Sequence, residues 1–271
     1  MRCKPWQILI VSFVGVSLAG CGEAKKSAPP APTIRVAAAS DLQRAFPILA
    51  SRFKLDTGID AIPTFGASGT LAEQIRGGAP FDVFLSADRG YVESLKPDQL
   101  VKPSSIRLYA RGTLALVVPK TARPGGIEIQ TIADLEKPEV KAFAFANPTF
   151  APYGRAAKQV LEKKGLWDKL EPKRVPATNV REALQFLESG NVDAAFVGSA
   201  MAKAPGVRSI PIDPDLHEPI LQGLGILSGT KHPDEAERFA QFLLSEAGQG
   251  ILRDLGFSTV PPEPPKLQAN H

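Results

Sequence analysis

The stretch from Thr64 to Asp88, TFGASGTLAEQIRGGAPFDVFLSAD, constrains this chain more than any other. It opens on small residues (Gly66, Ala67, Ser68, Gly69) and passes straight into a helical pattern. Leu71 and Ile75, with Ala72 and Gln74 beside them, lie at helical spacing. Gly77, Gly78 and Pro80 stop that helix, and the apolar run Phe81 to Leu85 reads as a buried strand ending in the turn Ser86-Ala87. Ser68 therefore stands where a helix begins, beside backbone N–H groups without intrahelical acceptors and at the positive end of the helix dipole. Such a position suits an anion. A single serine ahead of a single helix is ordinarily an N-cap and nothing more. Recurrence of the arrangement gives this one its weight.

Thr33 to Ala39 reads as a strand running into Ser40, and an amphipathic helix from Asp41 follows, with Leu42, Phe46, Leu49 and Phe53 on one face. Gly58 ends it and Ile59 to Thr64 is the next strand, so residues 33–86 alternate strand, small turn and helix. That alternation argues for a parallel sheet with helices on its faces. Ser104 to Val118 reads as one long extended stretch; Gly125-Gly126 and a helix around Thr131 to Leu135 come next. A second α/β unit then repeats the plan. It comprises a strand at Ala142–Ala146, the turn Asn147–Gly154, a helix at Arg155–Lys164, a helix at Arg181–Ser189 opened by Thr178-Asn179-Val180, and a strand at Asp193–Gly198. Leu221 to Leu227, with Gly223 and Gly225 inside it, suits a strand crossing between lobes. Helices from Pro233 and around Gln249 to Leu255 close the body. The expected division is residues 33–112 with 224–260 as a first lobe and 113–223 as a second, followed by a disordered tail over 261–271.

The N-terminus announces export. Met1 to Trp6 is a short cationic region, and Ile8 to Leu18 is apolar but too short to span a bilayer comfortably. It ends in Leu18-Ala19-Gly20-Cys21, which resembles the bacterial lipoprotein signal, cut before a cysteine that is then lipidated. An ordinary secretory peptide cut at a small residue is the alternative, and it too implies export. Residues 1–20 are thus expected to be a signal peptide, with Cys21 as the lipid anchor to a bacterial membrane. Residues 21–32, rich in Pro, Ala and Lys, would form an extended tether without chemistry of its own.

Charge and cysteine usage exclude several classes. The chain carries 32 Lys+Arg against 28 Asp+Glu, and without Arg2 and Lys4 the balance is 30 against 28. No basic stripe interleaved with aromatic residues appears, so nucleic acid is not an expected partner. Cys3 and Cys21 both precede the folded body, which leaves it without a disulfide or a thiolate metal site. His217, His232 and His271 show no ligand spacing, and neither a bound metal cation nor a cofactor is expected.

Four loops stand at helix starts: Ser40, Ser68, Ala151 to Gly154, and Asn179-Val180. Two fall in each lobe. In open α/β sheets ligands bind beyond the carboxyl ends of strands, and two facing lobes can close such loops on one ligand. Hydroxyls and backbone N–H groups are donors, and no Asp-rich cluster offers oxygens to a cation. Several neutral donors converging from helix N-termini can hold an ionised anion, whose desolvation costs several kcal/mol unless its lone pairs are met. Arg155 and Arg181 sit just inside the second-lobe helices and are read as surface or interdomain charges rather than anion contacts.

Ala37-Ala-Ala-Ser40, Phe65-Gly-Ala-Ser68-Gly-Thr-Leu-Ala72 and Gly77-Gly-Ala-Pro-Phe-Asp-Val-Phe-Leu-Ser-Ala-Asp88 resemble the periplasmic molybdate-binding proteins of ABC transporters. The likeness continues through Asn147–Gly154, Asn179–Leu184 and Val197-Gly-Ser199, and covers roughly residues 33–258. It implies a type II periplasmic-binding fold, with two α/β lobes around a ligand cleft joined by crossing strands. It also implies a monomeric binding protein, not an enzyme, that captures molybdate or tungstate and delivers it to a membrane permease. By position, Ser40 and Ser68 would donate through hydroxyl and backbone N–H, and Tyr153 and Val180 through backbone N–H. In one respect the chain departs from the family. Many members carry a ligand-contacting tyrosine where this chain has Val197. The phenol of Tyr153, where many members have a small residue, is the side chain placed to compensate.

Other readings stay open at this stage. Another tetrahedral dianion such as sulfate would suit the same loops, since sequence does not show pocket size. A serine hydrolase on Ser68 is disfavoured because Gly66-Ala-Ser68-Gly-Thr70 fails the Gly-x-Ser-x-Gly elbow at Thr70. A lipid-anchored sensor without transport would look the same in sequence.

Overall fold

A computed structural model of the chain describes residues 31–121 and 128–259. The expected signal peptide, Cys21, the tether up to Pro30, Gly125-Gly126 and the tail lie outside the described residues. From Ala31 onward the chain builds two five-stranded sheets. The first holds β1 (Thr33–Ala39), β2 (Asp60–Gly66), β3 (Val83–Ser86), β4 (Arg107–Gly112) and β10 (Ile220–Ile226), in the order β2-β1-β3-β10-β4. The second holds β5 (Leu114–Pro119), β6 (Phe143–Ala146), β7 (Arg174–Ala177), β8 (Ala194–Gly198) and β9 (Val207–Pro211), in the order β7-β6-β8-β5-β9.

The two sheets share one plan. In each, three strands run parallel (β2-β1-β3 and β7-β6-β8), as strand–helix–strand units require. A strand of the crossing region then adds antiparallel: β10 on β3, and β5 on β8. The chain leaves the first sheet at Gly112 and enters the second at Leu114, and β10 returns with Ile220 paired to Gly112. This is the two-lobed type II arrangement.

Seven α-helices pack on these sheets among the described residues: α1 (Phe46–Thr57), α2 (Ser68–Arg76), α3 (Arg89–Glu93), α4 (Pro152–Lys163), α5 (Val180–Glu188), α6 (Pro233–Leu244) and α7 (Glu246–Asp254). α1 shows why. Phe46, Leu49 and Phe53 recur at helical spacing and are buried, Pro47 fits the first turn, and Gly58 ends the helix at φ 74°. Phe53 meets Phe239 of α6 edge-on at 5.1 Å, so the two helices share one core. In the second lobe Phe143 packs on Phe196 at 5.9 Å, and Trp167 covers Phe145 at 5.5 Å. Every described core residue lies between Ile34 and Phe257. No helix among the described residues is long and apolar enough to cross a membrane.

Several local expectations shift. Asp41 does not open α1; Ser40–Gln43 forms a separate 3₁₀ turn and the α-helix starts at Phe46. The long extended stretch is two strands separated at Thr113, each in a different sheet. The segment after Thr131 is a 3₁₀ turn with a capping box between Thr131 and Asp134. β7 and β9 escape the sequence pattern because both are short edge strands containing proline, a residue that edges tolerate.

Candidate functional site

The four helix junctions meet around one small cavity between the lobes. The first lobe lines it with residues 39–41, 66–68 and Ala87, the second with residues 151–153, Asn179 and Val180. None of these lining residues is a lysine, arginine or histidine. The site offers neutral donors only.

Ser40 closes β1 and begins the 3₁₀ turn, buried, with its Oγ donating to the Gly66 carbonyl at 3.2 Å. Ser68 is the first residue of α2 rather than its cap. Ala67 holds the cap position with no side-chain bond, and Ser68 Oγ accepts from the Ala87 N–H at 2.9 Å. That bond fixes the oxygen and leaves the hydroxyl proton available to the cavity. The capping explanation for Ser68 therefore fails on geometry.

In the second lobe the lining residues stand at helix starts. α4 starts with Pro152, which has no N–H, and the Ala151 carbonyl accepts from Arg155 at 3.0 Å. The N–H groups of Tyr153 and Gly154 are left in the first turn without an i−4 partner. Gly154 is required here: a Cβ on it would lie 2.0 Å from the Ala146 carbonyl oxygen, so this helix start rests directly on the end of β6. In α5, the Asn179 side chain accepts from Arg181 and Glu182 at 2.9 and 3.2 Å, and its carbonyl accepts from Ala183. The first helical N–H, that of Val180, is the one this cap does not use.

Across the cleft mouth the lobes touch. Gly69 N–H donates to the Phe150 carbonyl at 2.8 Å, and a Cβ on Gly69 would meet Phe150 backbone at 3.0 Å. Arg155 pairs with Asp88 and donates to Tyr91 Oη at 3.1 Å, and that phenol donates to the Thr149 carbonyl at 3.1 Å. Arg155 is thus an interlobe charge. Arg181 pairs with Glu188 at 2.9 Å on its own helix and does not line the cavity.

Tyr153 turns its phenol away from solvent, onto Asp41 Oδ2 at 2.9 Å, with Gln222 Nε2 donating to the phenol oxygen at 3.1 Å and to Asp41. Val197 is fully buried in β8 opposite Ala115 and is not part of the lining. Sequence reasoning missed Asp41, whose one signal was its place directly after Ser40. Burial pushes its carboxyl up to about 6, against the opposing hydrogen bonds from Tyr153 and Gln222. Burial, with the nearby Asp41 charge, also raises the Tyr153 and Tyr109 phenols.

Residues 34–258 match the family described as bacterial extracellular solute-binding protein. The chain belongs to that family. This solute-binding protein is 33% identical over 252 residues to the molybdate-binding protein ModA of Azotobacter vinelandii, covering 92% of this chain and 96% of that one. It is 31% identical to the putative ABC transporter substrate-binding lipoprotein YvgL of Bacillus subtilis (strain 168), over 94% of this chain and 98% of that one. The solved structure of the Azotobacter vinelandii periplasmic molybdate-binding protein superimposes with a TM-score of 0.76 at 31% identity, covering 84% of this chain and 99% of that one. These relatives are substrate-binding transport proteins, and the solute-binding protein works outside the cytoplasm as they do.

Proposed function

We propose that the protein captures molybdate, and tungstate equally, and presents it to the permease of an ABC importer. What supports this reading is that Ser40, Ser68, Tyr153 and Val180 all line one cavity without a lysine, arginine or histidine. Ser68 has a free hydroxyl proton, and Tyr153 and Val180 stand in the first turns of α4 and α5, while Ser40 would trade its bond to the Gly66 carbonyl for the anion. Neutral donors at helix starts stabilise a dianion without a fixed countercharge, so the ligand stays exchangeable. The four donor positions come from both lobes, so the donor shell is complete only when the lobes are together, and the closed form is what the permease would read. The names of the Azotobacter relatives supply the anion. Export with a lipid anchor at Cys21 and a tether to Pro32 would hold this monomer at the membrane beside its permease.

Calorimetric titration of residues 31–271 with molybdate, tungstate, sulfate and phosphate tests the reading. One-to-one binding of molybdate and tungstate, with sulfate far weaker, is expected. Preference for sulfate would move the substrate within the same cleft, and no heat with any oxyanion would sink the proposal.

A further inference from the structure

A buried carboxyl stands beside the anion donors without being one of them. Asp41, on the first lobe, is 1% exposed; Tyr153, on the second, is 3% exposed; Gln222, on the crossing strand β10, is fully buried. Tyr153 Oη donates to Asp41 Oδ2 at 2.9 Å, and Gln222 Nε2 donates to both partners. One hydrogen-bonded cluster therefore spans the first lobe, the second lobe and the strand that joins them.

The backbone is cleared for this cluster. A Cβ on Gly112 would lie 2.1 Å from Tyr153 Oη, and one on Gly198 would lie 3.0 Å from the Tyr153 ring. Gly112 is the last residue of β4, where the chain leaves the first lobe, so the phenol rests on the crossing itself. Stability does not account for the arrangement. Asp41 Oδ1, Gln222 Oε1 and Tyr109 Oη are all buried without a hydrogen-bond partner. A buried carboxyl satisfied on one oxygen costs more than an apolar group of the same shape.

We propose that Asp41 is a positioning residue that couples lobe closure to anion capture. Its carboxyl can accept the Tyr153 phenol only when the two lobes are together. The same residue, Tyr153, carries the backbone N–H that faces the cavity from the start of α4. Closing the Asp41–Tyr153 bond thus sets the height of that N–H over the anion, while Gln222 ties both to the crossing strand. This inference rests on the oxyanion reading given above.

Asp41→Asn keeps an oxygen to accept from Tyr153 and Gln222, and it puts an NH₂ donor where Oδ1 now lacks a partner. Asp41→Ala leaves the phenol and the amide unpaired. The test compares wild type, Asp41→Ala, Asp41→Asn and Tyr153→Phe, each made in residues 31–271. That body contains no cysteine, so spin labels at Ser51→Cys on α1 and Asp168→Cys beyond α4 report the distance between lobes. Molybdate affinity is measured calorimetrically, and folding by circular dichroism.

Asp41→Ala and Tyr153→Phe are expected to weaken molybdate binding about tenfold or more and to broaden the interlobe distances toward longer values. Asp41→Asn is expected to recover most of the affinity and the short distance. Wild-type binding by Asp41→Ala, or an Asp41→Asn variant as weak as the alanine, overturns the coupling. If Asp41→Ala fails to fold, the Tyr153→Phe and Asp41→Asn pair decides between the same two outcomes. If wild type binds no oxyanion, the proposed function falls and the coupling to capture falls with it; if wild type binds and Asp41→Ala or Tyr153→Phe leaves the interlobe distances unchanged, the coupling alone falls.

Discussion

The two lobes share a sheet plan but supply the site in different ways. The first lobe brings two serines, Ser68 accepting from the Ala87 N–H and keeping its hydroxyl proton, Ser40 donating its own to the Gly66 carbonyl. The second offers bare backbone, with Pro152 and the Asn179 cap arranging which N–H groups are left over. A hydroxyl can be deleted by one substitution; an N–H cannot. On the proposed function, the first lobe is therefore where the anion shell is tuned, and the second is where it is broken only through the fold.

Breaking the second lobe should have the largest effect. Gly154→Val forces a side chain against the Ala146 carbonyl, where there is no room for even a Cβ, and should cost about 3 kcal/mol or more of stability. Urea unfolding would read that loss, and anion binding should vanish with it. The next effect belongs to the carboxyl between the lobes. Asp41 rises from 3.8 to about 6 on folding, so the folded state holds a proton that the unfolded chain has lost. Its contribution is fully present below pH 3.8 and is lost as pH rises through about 6, about 3 kcal/mol at most. Unfolding free energies of wild type minus Asp41→Asn should therefore fall between about pH 4 and 6 and level off above that; a flat difference across this window would mean the carboxyl titrates normally.

Two smaller effects sharpen the contrast. Ser68→Ala removes one hydroxyl donor and should weaken molybdate binding by about 1.5–3 kcal/mol, or roughly ten- to a hundredfold. It should keep the fold while losing about 1 kcal/mol of stability, because the Ala87 N–H loses its acceptor. Unchanged affinity would take Ser68 out of the site. Arg155→Ala removes the pair with Asp88 at the cleft mouth, where the two side chains are 40% and 32% exposed. The loss should be about 1 kcal/mol or less in affinity at low salt and should shrink as salt is raised. Titrations at two ionic strengths would check it.

The helix junctions were readable because each is written locally. Small residues before Leu71, a proline at position 152 and an asparagine at 179 each dictate a helix start within a few residues. Alternation of strands and helices gave the sheets, and the resemblance gave their closure into a cleft. What could not be read depends on side chains meeting across long separations. Asp41 and Gln222 are 181 residues apart, and Asp88 and Arg155 are 67 apart. No local pattern says which strand ends stand level with one another. The capping reading of Ser68 illustrates the same limit, since its true partner, the Ala87 N–H, arrives from the next strand's end. Val197 looks in sequence like a missing ligand contact, whereas the space beside Gly198 is filled by the Tyr153 ring coming from α4.

The pairing of Gly112 with Ile220 has a consequence for how such a chain can be rearranged. The chain exits and re-enters the first sheet at two residues that face each other on adjacent antiparallel strands, so the entire second lobe is topologically an insertion into a hairpin. A tight turn could replace it without disturbing strand order in the first sheet, and a second lobe from a relative could be grafted at the same seam. Exchanging that cassette would let backbone donors from one protein be paired with serine hydroxyls from another. Selectivity among oxyanions would then be assembled from two halves joined at one seam.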